Sequence, residues 1–131
     1  MLSDSSIKQI AQLFCGDIEG CFIYKTWSQL ISFFNSYFGF YEKYEQAFPS
    51  RWAFVYNKIA SFLESGSFDN FLDIILSKDY LMKEQNWGMV EAISKSADIC
   101  EKFKQIVHAD QYITKDFISA GTMFVRLPLS R

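Results

Sequence analysis

Histidine, proline and glycine are all scarce in this chain, which has one His, two Pro and six Gly in 131 residues. A single imidazole leaves His108 as the only residue able to perform the commonest form of acid–base catalysis. With so few breakers there is no stretch that reads as a linker or low-complexity tract, and the length fits one domain of the usual ~100–150 residues. Cysteine is limited to Cys15, Cys21 and Cys100. An odd number, with no secretory leader read at the start, argues against a disulfide framework and for a reducing, cytoplasmic setting.

Excess charge of either sign is also missing. Thirteen Lys and Arg against fifteen Asp and Glu leave a net charge of −2, which supplies no bulk field to draw in a polyanion, so nucleic acid is not the favoured partner. Long apolar runs are absent as well. The densest region, Leu30 to Phe40, is interrupted by Ser32, Asn35, Ser36 and Gly39 and followed by Glu42, Lys43 and Glu45. It falls short of the ~18–20 apolar residues a membrane span needs and reads as core.

Aromatic residues are abundant: 18% of the chain, with Phe alone appearing 14 times, and half of all residues are apolar. Such a composition excludes disorder and predicts an interior built largely from rings. The periodicity predicts a mainly α single-domain bundle of about five helices, with a small C-terminal β-hairpin over 111–126. Ser3-Asp4-Ser5 caps a first helix with Ile7, Ile10, Ala11 and Phe14 on one face and Gly16 as its stop. The segment Asp17 to Lys25 reads as irregular. Thr26 caps a second helix whose stripe is Trp27, Leu30, Ile31, Phe34, Tyr37 and Phe38, ended by Gly39.

Pro49 forces Phe48 out of the α region, and Ser50 is then expected to cap a third helix carrying Trp52, Val55, Ile59, Phe62 and Leu63 as far as Ser65-Gly66. A fourth starts at Ser67 and buries Phe68, Phe71, Leu72, Ile75 and Leu76. The longest pattern, from about Trp87 to Val107, predicts a fifth helix with a seam at Val90, Ile93, Ala97, Cys100, Phe103 and Val107. Beyond it, Tyr112-Ile113-Thr114, Phe117-Ile118 and Thr122 to Val125 are β-prone.

The search for chemistry returns no catalytic residue, metal site or cofactor. His108 in a last helical turn is explained by the macrodipole. Cys15 and Cys21 match no common zinc spacing, and all three thiols read as buried hydrophobes. No phosphate loop or nucleophile elbow is present. Asp69 with Asp73, and Glu42 with Glu45, could serve a metal-dependent nuclease, but at helical spacing they also read as a solvated face.

Phe48-Pro49-Ser50-Arg51-Trp52 combines a fixed bend, a cap and a large aromatic. Arg51 is the odd member, because a cation in the first turn opposes the helix dipole. Either it is clasped by a carboxylate such as Glu42 or Glu45 with Trp52 locked inside, or it meets an acidic or phosphorylated surface on a partner. With Tyr41, Tyr44 and Lys58 it forms the candidate partner-binding set. Tyr37, Tyr41, Tyr44 and Tyr56 could alternatively stack nucleobases, as in a small antitoxin or repressor.

The region from Phe38-Gly39-Phe40 through Phe48-Pro49-Ser50-Arg51-Trp52, into Phe54-Val55 and Lys58-Ile59, resembles the N-terminal domain of AbiJ-type abortive-infection proteins, which are bacterial phage-resistance factors. The resemblance implies a helical front end, closed by a short β-type element, that in the family precedes a variable C-terminal region; on that reading the chain is either a domain excised from such a protein, with an effector domain absent from it, or a subunit that works by itself. It implies a regulatory module that contacts a protein partner or a second copy of itself, and it carries no catalytic residues.

Overall fold

Helix boundaries follow from local capping chemistry. The computed structural model describes residues 2–18, 21–44, 49–109, 117–119 and 124–126, with side chains as far as 106. Helix α1 (Asp4–Cys15) starts where the Ser3 hydroxyl accepts from the Ser6 N–H at 3.2 Å. It ends in a Schellman turn, with Gly16 donating to Leu13 O and Asp17 to Gln12 O, and Gly16 sits in the left-handed region at φ +82°. Helix α2 (Trp27–Phe38) has a reciprocal capping box: Thr26 Oγ1 accepts from Gln29 N at 3.2 Å, and Gln29 Oε1 accepts from Thr26 N at 2.9 Å. Gly39 closes it.

Helix α3 (Arg51–Ser65) begins at the expected residue, but the Ser50 side chain makes no capping bond; only its carbonyl enters the ladder, accepting from Phe54 N. Gly66 ends it. Helix α4 (Phe68–Ile75) buries Phe68, Phe71, Leu72 and Ile75, with Leu76 buried just beyond. Helix α6 (Met89–Ala109) is the longest.

The mainly α bundle of about five helices is present, with six helices among the described residues: a short helix α5 (Lys78–Glu84) occupies a stretch in which no helical stripe is legible. Its cap, Ser77, accepts from Tyr80 N at 3.1 Å; at seven residues the helix is too brief to show a periodic stripe, and its stability comes from burying Tyr80 and Leu81. The α6 seam is rotated from the expected one. Val90 is 83% exposed, and the buried residues are Ala92, Ser96, Ile99, Cys100, Phe103 and Ile106. Ser96 reads as polar and so hides the true face, yet its hydroxyl donates to the carbonyl of Leu76 at 2.8 Å inside the core. Of the predicted seam only Cys100 and Phe103 are fully buried; Val107 lies beyond the described side chains.

At the position of the expected hairpin, strands β1 (Phe117–Ser119) and β2 (Phe124–Arg126) pair antiparallel, with Phe117 opposite Arg126. Residues 111–116 and 120–123 of that prediction lie outside the described residues.

One contiguous core draws on all six helices. Its centre is Phe14, fully buried, with the rings of Phe33 at 5.0 Å, Phe22 at 5.4 Å and Phe71 at 5.5 Å. The tilted and edge-on geometries are those the ring quadrupole favours. Phe33 is buried although the predicted stripe of α2 omitted it, while Tyr37 of that stripe is exposed. Helices α1 and α3 share the most extensive packing, tied at the surface by Tyr56 Oη donating to Asp4 Oδ1 at 2.7 Å. No helix among the described residues is long and apolar enough to cross a membrane.

Candidate functional site

Three polar arrangements stand around the aromatic core. The first is built on Arg51. Its guanidinium carbon lies over the Tyr24 ring, 4.1 Å from the centroid. Nε donates to the carbonyl of Lys25 at 2.8 Å, and Nη2 donates to the carbonyl of Cys15 at 2.9 Å and faces Asp17 Oδ1 at the same distance. The cation that opposes the α3 dipole is thus compensated inside the chain, by Asp17, while Glu42 pairs elsewhere: folding brings the end of α1 against the start of α3, a contact that chain proximity does not reveal. Only 15% of the Arg51 side chain remains exposed. Glu45 and Phe48 lie outside the described residues.

Trp52 is half-buried at the edge of the α1–α3 packing instead of locked inside. Lys8 Nζ stands 4.6 Å over its ring, and Tyr56 meets it edge-on. The aromatic that α3 sends into the core from its first turns is Phe54, 7% exposed. Pro49 and Ser50 are exposed.

The second arrangement is the loop 40–44. Asn35 reaches out of α2 and grips the backbone of Glu42 twice, its Nδ2 donating to Glu42 O at 3.1 Å and its Oδ1 accepting from Glu42 N at 2.9 Å. The Glu42 carboxylate pairs with Lys58 Nζ, and that ammonium also sits over the rings of Phe40 and Phe54. Lys58 is therefore an internal brace, with 14% of its side chain exposed. On this pinned loop Tyr41 is 95% exposed and Tyr44 55% exposed, the latter tilted against Trp27 at 5.3 Å. Of the four candidate partner-binding residues, the structure groups Tyr41 and Tyr44 on the outside and turns Arg51 and Lys58 inward.

The third arrangement escaped the sequence reading. A cleft of about 480 Å³ opens between α2 and α5, lined by the Ser28, Ser32, Ser36 and Tyr37 face of α2, by Tyr80, Lys83 and Glu84 of α5, and by Ile23 to Lys25. Lys25 is buried, 5% exposed. Its Nζ donates to the carbonyl of Phe14 at 2.9 Å and to Gln85 Oε1 at 3.3 Å, between the rings of Phe14 and Phe22. No carboxylate of the described residues forms an ion pair with it. Burial pushes its pKa down to about 7, with Cys15 and Glu84 pulling upward and Arg51 adding to the fall. The amide nitrogen of Gln85 beside it is buried with no acceptor among the described residues. In sequence Lys25 is one cation in an irregular stretch, and nothing in its neighbours signals burial.

All three cysteines are buried, and Cys15 and Cys21 are free thiols. Desolvation raises the Cys15 thiol to about 12 and also raises Cys21, so both are unreactive as nucleophiles. His108 falls in the final turn of α6 as expected, its side chain beyond the described ones. No group of three or more His, Cys, Asp or Glu among the described residues could hold a metal ion. Compared with known proteins, the chain matches no family model, no curated protein and no solved structure.

Proposed function

We propose that this chain is a non-enzymatic helical interaction module whose contact surface is the loop 40–44, with Tyr41 and Tyr44 as anchors and a protein, or a second copy of the chain, as partner. The observation that carries the reading is a solvent-facing tyrosine on a tethered support: Tyr41 is 95% exposed, one residue from a backbone held on both sides by Asn35. Large aromatics on a rigid frame lose little conformational freedom on binding and supply most of the energy at protein interfaces. The chain's own core makes little use of that ring. The resemblance to AbiJ-type N-terminal domains supports a cytoplasmic, regulatory role in bacterial antiphage defence, with a C-terminal effector domain among the candidate partners.

The test places a photo-crosslinking phenylalanine analogue at Tyr41 in the native cells, with the same substitution at the exposed Glu101 as control. A discrete protein adduct at position 41, weakened by Tyr44→Ala and absent at position 101, is expected. No adduct at 41, or the same adduct from both positions, removes the reading.

A further inference from the structure

We propose that the cleft between α2 and α5 is a binding site for a small organic anion, its carboxylate or phosphate group attracted by Lys83 and the buried ammonium of Lys25 and its flat body resting on Tyr24 and Tyr37. The site is independent of the tyrosine loop. Three observations converge on it. The cleft is large enough, at about 480 Å³, for a ligand of metabolite size. Its α2 wall is a row of hydroxyls, Ser28, Ser32 and Ser36 at one-turn spacing, which can donate to an oxyanion without a desolvation penalty of their own charge. The third observation is electrostatic: Lys25 and Lys83 line the cleft against a single carboxylate, Glu84, and Lys25 has two neutral acceptors and two rings for company but no anionic partner among the described residues.

An ammonium taken out of water without a counter-charge is costly. Low-dielectric walls carry its field into the adjoining cleft, where an anion recovers part of that cost. The rim is apolar as well, since Ile23, Tyr24 and Tyr37 are 46%, 58% and 37% exposed, which suits an aromatic or heteroaromatic body behind the charged head.

Charge on Lys25 is set first by its burial and then by Cys15 on α1, Glu84 on α5 and Arg51, itself paired with Asp17, at the start of α3; Tyr80 and Lys83 of α5 line the same cleft. Binding of an anion favours the protonated amine, so ligand uptake should draw in a proton and weaken as the pH rises above about 7.

The experiment follows the full chain by thermal shift and by NMR titration with two probes, benzoate for the carboxylate class and adenosine monophosphate for the phosphate monoester class, at matched ionic strength. At least one probe is expected to raise the melting temperature and to weaken several-fold, at most about tenfold per pH unit, between about pH 7 and pH 8.5. Lys25→Met should abolish the pH dependence, and Ser32→Trp, which fills the cleft from an exposed helix position, should abolish binding while leaving the fold intact. No shift with either probe, or a shift that survives in Ser32→Trp, overturns the proposal; both outcomes leave the crosslinking result at Tyr41 unaffected.

Discussion

Arg51 Nη2 lies 2.9 Å from Asp17 Oδ1 while the Nε of the same guanidinium donates to the carbonyl of Lys25 at 2.8 Å, so one side chain fastens the start of α3 to both ends of the 17–25 segment. The planar fork is what makes this achievable, since its N–H groups point in fixed directions toward separate acceptors.

Removing that fork leaves the carbonyl of Lys25 and the Asp17 carboxylate without their cation, while the carbonyl of Cys15 keeps only the Lys25 N–H. Arg51→Ala should therefore lower stability by about 2–4 kcal/mol, read by urea unfolding. Arg51→Lys should recover only part of the loss, because a point-like ammonium cannot serve three acceptors placed for a plane. A change below about 0.5 kcal/mol in Arg51→Ala would show that the clasp contributes nothing and return Arg51 to the set of free surface cations.

Lys25 makes stability depend on pH in a specific direction. Its folded pKa is depressed to about 7 from 10.5, so between those values the unfolded chain carries one more proton and stability from this group rises with pH; below about 7 the full burial penalty is present. Replacing it by Met should stabilise the protein most near about pH 6, and that advantage should shrink by on the order of a few kcal/mol toward pH 10. Comparing variant with wild type at each pH cancels the opposite trend of Cys15 and Cys21, whose raised pKa values lower stability once the unfolded thiols ionise. An advantage that stays flat across the window would mean Lys25 keeps its proton throughout.

The three helix-ending glycines should respond unequally to substitution. All have positive φ, but a Cβ at Gly16 would lie 2.4 Å from Tyr24 Cα and N, whereas at Gly39 and Gly66 it would meet nothing within 4 Å. Ala at positions 39 and 66 should each cost about 1 kcal/mol of left-handed strain. Gly16→Ala should cost several times that, because the obstruction is backbone, measurable as a melting temperature far below those of the other two.

Asn35 and Phe14 separate the support of the tyrosine loop from the support of the fold. Phe14→Ala should cost about 3–5 kcal/mol through the cavity it leaves among five neighbouring rings. Asn35→Ala loses two bonds at the protein surface and should cost no more than about 1–2 kcal/mol. It should nonetheless raise amide exchange at Glu42 and reduce crosslinking through position 41. Unchanged exchange there would mean the loop is held by other contacts.

How far the residues alone reach is clear from particular positions. Ser3, Gly16, Thr26, Gly39 and Gly66 mark helix ends correctly because capping is settled by neighbours in the chain, and the stripes of α1 and α4 emerge because their faces are uniformly apolar. Helix α5 and the seam of α6 are not legible: one spans only about two turns, too few repeats of the helical period to stand out, and the other runs through Ser96, whose burial depends on the Leu76 carbonyl twenty residues away. Of the candidate contact residues, Tyr41 and Tyr44 do face solvent, while the inward turn of Arg51 and Lys58 depends on which acceptors the folded chain brings to them.

Composition and local periodicity were thus enough to specify an aromatic helical bundle and most of its boundaries, since those follow from interactions within a turn or two. Which cations became braces, which tyrosine was left in water, and that a lysine came to lie under a cleft were decided only when distant segments met. Charge and hydrogen-bonding partners are matters of distance in space, and a chain read residue by residue does not contain those distances.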